Sequence, residues 1–255
     1  MEESKSINYR YLLESAVDWK KKLFHEKPFF EYFLKKKRAN SFLDLRSGSG
    51  KYLLNMYGLC NNLVGVESDI ILYERAKKSS IDFPGINFVN SSFTNIPNAL
   101  KQINLPSTFD VVFLTNNHLA TIINTNNIVD YLKKVNEIVS KNGIFLMVGF
   151  NYNKLLKDQD YSFSKQTFHH EGSLYALSRS MKIMDEELIS YSCNIFDSSG
   201  HIFYEHKELQ YPLTKKRIID FLEESGFKNV EFYGDFSFTD FDVDKSKKII
   251  VVAYK

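Results

Sequence analysis

Hydrophobic and polar positions alternate in blocks along the chain, and their spacing predicts strands and helices in turn. Short apolar runs predict buried strands at 41–45, 62–68, 86–92, 109–115 and 144–150. Helical spacing predicts helices at 50–58, 69–79 and 128–140, with Asp69 as an N-cap and "KNG" as the stop signal of the third. This alternation predicts a parallel sheet with helices on both faces, and the ends of its strands should form a ligand crevice.

Three segments depart from the alternation. Residues 8–38 have helical spacing that is interrupted at Pro28, which predicts N-terminal helices. Residues 151–212 carry strand-like runs with short turns such as "DSSG", which predicts a small antiparallel insertion. A helix at 215–227 is followed by strands at 229–234 and 247–255 with no helix between them, so at least one of these strands should run antiparallel.

These segments together predict one domain with four parts. The parts are N-terminal helices (1–40), a ligand-binding core (41–150), a β insertion (151–212), and a C-terminal helix with a strand pair (213–255).

Composition narrows the class of protein. The 255 residues are 44% hydrophobic and 25% charged, which is typical of a globular protein. A net charge of +2 gives no electrostatic reason to expect nucleic acid or a membrane as partner. The N-terminus lacks the apolar core of a signal peptide, and Cys60 and Cys193 are far apart and outside any metal-ligand spacing. We therefore expect a cytoplasmic protein without a bound metal; its oligomeric state stays open.

The loop "RSGSG" after the first strand carries the main chemical signal. Gly48 and Gly50 stand between a buried strand and a helix, a position typical of loops that hold nucleotide-like ligands. A dinucleotide motif would have a third glycine where this chain has Leu53. A motif for S-adenosylmethionine ends its first strand with an acid, which is present as Asp44. Glu67 ends the second strand and suits the ribose of either cofactor, so it does not choose between them.

Further stretches favour S-adenosylmethionine. The runs "LVGVESD", "INFVNSSFTNIP", "TFDVVFLTNNHLATI" and "VNEIVSKNGIFLMV", with the closing "IIVVAYK", resemble the class I S-adenosylmethionine-dependent methyltransferases. Trp19, Glu26, Phe29, Phe30, "FNYNKLL" and "FYGDF" look like the glycine and sarcosine N-methyltransferase branch. The resemblance implies an α/β Rossmann-like fold, in which a seven-stranded, mostly parallel sheet has an antiparallel last strand. It also implies an enzyme, a methyltransferase with S-adenosyl-L-methionine as its cofactor.

The resemblance also implies a cofactor site. Asp44, Gly48 and Gly50 would surround the methionine portion, and Glu67 would hold the ribose. Ser92 and Phe93 stand where the family binds adenine, Phe93 by stacking and Ser92 by a hydrogen bond.

Arg46 departs from the family, which has its first glycine there. Because the branch often has alanine at this position, a positive φ is not required. The guanidinium can reach the cofactor's carboxylate, pair with Asp44, or fill the methionine site. The last alternative would leave a catalytically inactive relative that only binds a partner.

The acceptor side is predicted from the ends of the fourth and fifth strands. Asn116, Asn117 and His118 are the catalytic candidates beside the methyl group; His118 would take a proton, or else is a buried or helix-capping histidine. Phe150 replaces the arginine that clamps a carboxylate in the glycine enzymes, and we place it with Tyr152 and Tyr175 in the substrate site. The prediction is methyl transfer to nitrogen or oxygen of a small molecule other than glycine. The alternatives are an inactive binding protein and an NAD-binding oxidoreductase.

Overall fold

The computed structural model describes residues 8–115, 117–159 and 161–255, without the side chain of Thr94. Within them the α-helices are α1 (Tyr9–Ser15), α2 (Trp19–Lys36), α3 (Lys51–Asn55), α4 (Ile70–Ser79), α5 (Ile96–Gln102), α6 (Thr125–Ile138), α7 (Tyr152–Asp158) and α8 (Lys215–Glu224). The first strands are β1 (Ser41–Asp44), β2 (Asn62–Glu67), β3 (Ile86–Asn90), β4 (Phe109–Leu114) and β5 (Val139–Phe150). The later strands are β6 (Tyr161–Ser162), β7 (Gln166–His170), β8 (Ser173–Ile183), β9 (Ile189–Phe196), β10 (Ile202–Gln210), β11 (Val230–Tyr233) and β12 (Lys248–Tyr254).

The main sheet has seven strands in the order β11-β12-β5-β4-β1-β2-β3. Strands β1 to β5 are parallel, and β12 runs antiparallel to both of its neighbours, β5 and β11. This confirms the predicted fold class, including the antiparallel last strand. The chain moves outward from β1 to β3 and then returns to the other side of β1 with β4, so the strand order reverses between β1 and β4. A crevice opens at the carboxyl ends of strands at such a point.

The second sheet is antiparallel and lies within the predicted insertion. Its order is β10-β9-β8-β6, and β7 also pairs with β8. Strand-like runs at 174–184, 186–196 and 201–211 predict its three long strands, whereas β6 and β7 are additional. Its residues on one side, including Ile189, Cys193 and Ile195, are buried, so this sheet turns one face towards the rest of the protein.

Both faces of the main sheet are covered by apolar side chains. One face packs against α5, α6 and α8, with Ile128, Leu132 and Leu222 fully buried. The other packs against α2 and α3 through aromatic contacts such as Phe30 on Phe113. Strands that are buried on both faces fix the positions of their carboxyl ends, where the candidate site lies.

The predicted break at Pro28 is wrong. Helix α2 continues through Pro28, and the interruption lies before it, where Asp18 caps a new helix by accepting from the Lys21 N–H at 3.0 Å. Proline has no N–H to donate to the carbonyl of Phe24, four residues earlier. Because Phe24 is 76% exposed, water can donate to that carbonyl instead.

The predicted stop signal "KNG" is also wrong. Helix α6 ends at Ile138, and β5 begins at the next residue. Phe109 pairs with Val139 but Val111 pairs with Ile144, so "KNG" lies in an irregular bulge of β5, where Asn142 has a φ of 72°. Helices α3 and α8 are shorter than predicted, and α5 and α7 are absent from the prediction. None of the described helices is long and apolar enough to cross a membrane.

Candidate functional site

The glycine loop joins β1 to α3 at the reversal point of the sheet. Gly48 has a φ of 55° and Gly50, the N-cap of α3, a φ of 80°. Residues with side chains adopt these angles at a cost, so the two glycines let the loop turn back across the strand ends. Arg46 does not have a positive φ. Its backbone therefore keeps the shape of the loop without a glycine, as the sequence indicates.

Asp44 is buried at the end of β1 with one oxygen lacking a partner. Its Oδ1 accepts from the Arg46 N–H at 3.1 Å, while its Oδ2 has no hydrogen-bond partner among the described residues. Burial raises the pKa of Asp44 from its usual value of 3.8 to about 7. A buried acid with an open acceptor is suited to a cationic ligand group, which would supply the missing hydrogen bond.

Glu67 ends β2 with all its acceptor positions occupied. Arg10 of α1 forms a bidentate ion pair with it, Nη1 to Oε1 at 2.6 Å and Nη2 to Oε2 at 2.9 Å. The backbone N–H groups of Asp69 and Gly48 donate to the same two oxygens at 2.8 and 3.0 Å. These four donors match the roughly four lone-pair sites of a carboxylate. A ribose could bind Glu67 only by replacing one of them, and Arg10 is the one on a separate helix.

Helix α1 covers this end of the crevice. Glu14 accepts hydrogen bonds from the backbone N–H and hydroxyl of Ser49 in the glycine loop, the first at 3.0 Å. Asn8, its N-cap, donates to Asp69 Oδ2 at 2.7 Å. On the other side of α1, Leu12 is fully buried against side chains of the second sheet. Tyr9 stacks on Tyr204 of that sheet, with 4.7 Å between the ring centroids. Helix α1 thus connects the glycine loop to the second sheet.

Arg46 crosses the crevice towards the end of β4. Its Nη1 lies 2.7 Å from His118 Nδ1. A guanidinium only donates, so Nδ1 of His118 is the acceptor and the neutral ring carries its hydrogen on Nε2. Burial, Arg46 and Arg10 lower the pKa of His118 to about 3. This geometry argues against His118 as a base and favours it as a hydrogen-bond donor to a ligand.

The predicted adenine residues lie beyond β3. Ser92 precedes a short 3-10 helix, Phe93–Asn95. Phe93 stacks on Tyr131 of α6 with ring centroids 3.6 Å apart, and Tyr131 also touches His118 edge-on. One face of Phe93 is therefore used within the protein, so adenine could stack only on its other face.

A pocket lies at the carboxyl ends of β4 and β5. Its polar lining comes from Asn117, His118 and Tyr152, and its apolar lining from Leu114, Leu119, Met147, Val148, Phe150, Leu213, Ile218 and Ile249, with Gly149 between them. The lining is mostly apolar with a few polar groups, and the cavity has a volume of about 10 Å³, room for one water-sized group, so an acceptor would have to displace lining side chains to bind here.

Asn117 connects three parts of that pocket. It has a φ of 58°, which asparagine tolerates, and its Oδ1 accepts from the Phe150 N–H at 3.1 Å. Its Nδ2 donates to the Tyr152 hydroxyl and to Gln210 Oε1, the second at 3.3 Å. A carboxamide engaged in this way holds the pocket in shape, because both its hydrogens are already used.

The structure brings most of the predicted residues to one edge of the main sheet. Asp44, Gly48, Gly50 and Glu67 lie around the loop, and Phe150 and Tyr152 lie in the pocket with Asn117 and His118. Tyr175 instead packs with Phe168 and Leu12 beneath α1, and it does not line the pocket. Asn116 lies outside the described residues. No sequence pattern points to Arg10, Glu14 or Gln210, because each acts through a contact with a distant segment.

No family model matches the chain. A glycine/sarcosine/dimethylglycine N-methyltransferase of Actinopolyspora halophila is 21% identical over 228 residues, 89% of this chain. The chain spans only 38% of the length of that protein. A glycine/sarcosine N-methyltransferase of Aphanothece halophytica is 22% identical over 242 residues, which cover 92% of this chain and 86% of that protein.

Among solved structures, an S-adenosylmethionine-dependent methyltransferase from Clostridium acetobutylicum aligns with a TM-score of 0.71 and 16% identity, over 96% of this chain and 95% of that one. The chain therefore has the fold of the class I S-adenosylmethionine-dependent methyltransferases.

Proposed function

We propose that the protein transfers a methyl group from S-adenosylmethionine to nitrogen or oxygen of a small-molecule acceptor other than glycine. The observation that carries this proposal is the pair of buried acids, Asp44 and Glu67, on either side of the glycine loop. Asp44 has an open acceptor atom, and Glu67 is fixed by the backbone of the loop.

The residues fit the cofactor group by group. Asp44 Oδ2 would accept a hydrogen bond from the ammonium group of the cofactor's methionine portion. Arg46 lies within the crevice and would be the cation that pairs with the cofactor's carboxylate. Glu67 would accept from the ribose hydroxyls once Arg10 has left it. An NAD-binding site would lack the third glycine of its motif, because Leu53 stands there and is fully buried in the core.

The bound cofactor would supply an electrophilic methyl group on a sulfonium. The chain's own residues then have to hold the acceptor in line, because placement alone can lower the barrier by about 7–11 kcal/mol. Asn117 fixes the ends of β4 and β5 relative to each other, and His118 can donate through Nε2 to the acceptor. The apolar lining excludes water from the same space.

Calorimetry with S-adenosylhomocysteine and with NADH tests the cofactor. We expect binding of S-adenosylhomocysteine alone. Binding of NADH alone would overturn the proposed function and favour the oxidoreductase alternative.

Asp44 should make the stability depend on pH. Because its pKa is about 7 in the folded protein and 3.8 in the reference state, the folded protein holds a proton that the unfolded chain has lost between these values. The contribution of Asp44 to the free energy of unfolding should therefore be largest below pH 4. It should fall as the pH rises to 7, by up to about 1.4 kcal/mol per pH unit. Asp44→Asn should remove this slope in thermal unfolding of the ligand-free protein. Equal slopes in both proteins would contradict the burial of an ionisable Asp44.

Glycine and sarcosine should not be methylated. A charge-assisted hydrogen bond contributes about 1.5–3 kcal/mol, and Phe150 offers none to a carboxylate. In this structure Phe150 packs on Phe163 with ring centroids 5.4 Å apart, so the position is part of an aromatic wall. The measurement is release of S-adenosylhomocysteine with either amino acid at millimolar concentration. Efficient turnover of glycine would refute the argument from Phe150.

A further inference from the structure

Strand β10 turns a row of polar side chains towards the protein. Tyr204, His206, Glu208 and Gln210 alternate along the strand and are less exposed than the residues between them. Their direct partners on β9 include Ile195, Cys193 and Ile189, which are all buried. A carboxylate and an imidazole therefore face inward from the second sheet.

Two hydrogen bonds connect Glu208 to the pocket. Gln210, which is 2% exposed, donates from Nε2 to Glu208 Oε1 at 2.7 Å. The Oε1 of Gln210 accepts from the Tyr152 hydroxyl at 2.7 Å, and it also accepts from Asn117. Tyr152 and Asn117 line the pocket at the ends of β4 and β5, so Glu208 is joined to that pocket through Gln210 and does not line it directly.

Glu208 has no permanent cation as partner among the described residues. Its Oε2 lies 3.2 Å from His206 Nε2, and both side chains are 30% exposed. Arg179 faces the same way from β8 but donates to Gln166 at 3.2 Å, with its guanidinium over the Phe163 ring. Burial chiefly raises the pKa of the Tyr152 hydroxyl, and the nearby carboxylate of Glu208 adds to this shift.

Aromatic rings lie on the same face of the second sheet as this carboxylate. Tyr9 of α1 stacks on Tyr204 at 4.7 Å and lies 5.6 Å from the His206 ring. Tyr191 is the direct partner of Glu208 on β9. A partly buried carboxylate among aromatic rings favours a cation over a neutral or anionic group.

We propose that Glu208 binds the amino group of the acceptor, so that the substrate is an amine without a carboxylate. This rests on the proposed methyl transfer. A protonated amine has no free electron pair, so it has to lose a proton before it can be methylated. The carboxylate of Glu208 can take that proton: one N–H bond breaks, one O–H bond forms, and the ammonium and carboxylate become an amine and a carboxylic acid. His206 lies next to Glu208 as a further proton acceptor.

The test uses cyclohexylamine and cyclohexanol, which differ only in the polar group. Calorimetry is done on the protein saturated with S-adenosylhomocysteine, and we expect the amine to bind at least about tenfold more tightly than the alcohol. Glu208→Gln keeps the shape of the side chain and should abolish this preference while leaving the affinity for S-adenosylhomocysteine unchanged. Glu205→Gln is the matched control, because Glu205 lies on the outer face of the same strand and pairs with Lys207 at 2.9 Å.

Three results would overturn the assignment of Glu208. They are an absent amine preference in the wild type, a preference that survives Glu208→Gln, and a preference that is lost equally in Glu205→Gln. Failure of the proposed function looks different, because the protein would then not bind S-adenosylhomocysteine. In that case the amine and alcohol are compared on the ligand-free protein, where the same three results decide the role of Glu208.

Discussion

Glu67→Gln should weaken the binding of S-adenosylhomocysteine by at least about tenfold. The glutamine loses the negative charge that strengthens hydrogen bonds from two ribose hydroxyls, each worth about 1.5–3 kcal/mol. It also replaces one of the two oxygens that accept from the backbone N–H groups of Gly48 and Asp69 with an amide donor. The dissociation constant is measured by calorimetry, and the melting temperature of the ligand-free variant is measured beside it.

Arg10→Ala is the control for this experiment. Both variants remove the ion pair between Arg10 and Glu67, but only Glu67→Gln removes the carboxylate. Because Arg10 occupies the position on Glu67 that the ribose would need in the proposed site, Arg10→Ala should bind S-adenosylhomocysteine as tightly as the wild type or more tightly. An equal loss of affinity in both variants would mean that the ion pair itself, rather than the carboxylate, supports the site.

The main sheet could be predicted because its strands carry their own signals. Strands such as β4 and β12 are nearly continuous apolar runs, and a run of that kind is typical of a strand buried on both faces. The two wrong predictions, at Pro28 and at "KNG", lie where the tertiary structure offsets a local sequence signal. Pro28 is a helix breaker by itself, but it lies where the lost hydrogen bond faces water. The "KNG" signal is real as a turn, but the turn is a bulge within β5.

The candidate site divides in the same way. Asp44, Gly48, Gly50 and Glu67 follow strands directly, so their place at the crevice follows from the strand order. The partners of these residues come from elsewhere. Arg10 reaches Glu67 across 57 residues of sequence, and Gln210 reaches Tyr152 across 58. No periodicity within either segment indicates such a contact, and only the packing of α1 and β10 against the main sheet creates it.

The role of the Arg46 side chain decides whether the proposed cofactor site can bind its ligand. Its guanidinium lies in the crevice with neutral His118 as hydrogen-bond partner, and no carboxylate forms an ion pair with it among the described residues. Burial and the nearby Arg10 lower the pKa of Arg46, which indicates that its charge is poorly compensated by the side chains around it. An unpaired, partly buried cation favours an anion as ligand, and the cofactor's carboxylate is the anion that the methyltransferase fold would bring here. The competing interpretation is that the side chain fills the methionine site and prevents binding.

Arg46→Ala separates these two interpretations by the sign of its effect. If Arg46 binds the carboxylate, the variant should bind S-adenosylhomocysteine about tenfold to a hundredfold more weakly, since one charge-assisted contact of about 1.5–3 kcal/mol is lost. Methylthioadenosine, which has no amino-acid portion, should bind the variant and the wild type equally well. If Arg46 blocks the site, the variant should instead bind S-adenosylhomocysteine more tightly than the wild type. Both ligands are compared by calorimetry, and we expect weaker binding of S-adenosylhomocysteine alone, because the open acceptor of Asp44 and the cationic Arg46 together match both charges of an amino acid.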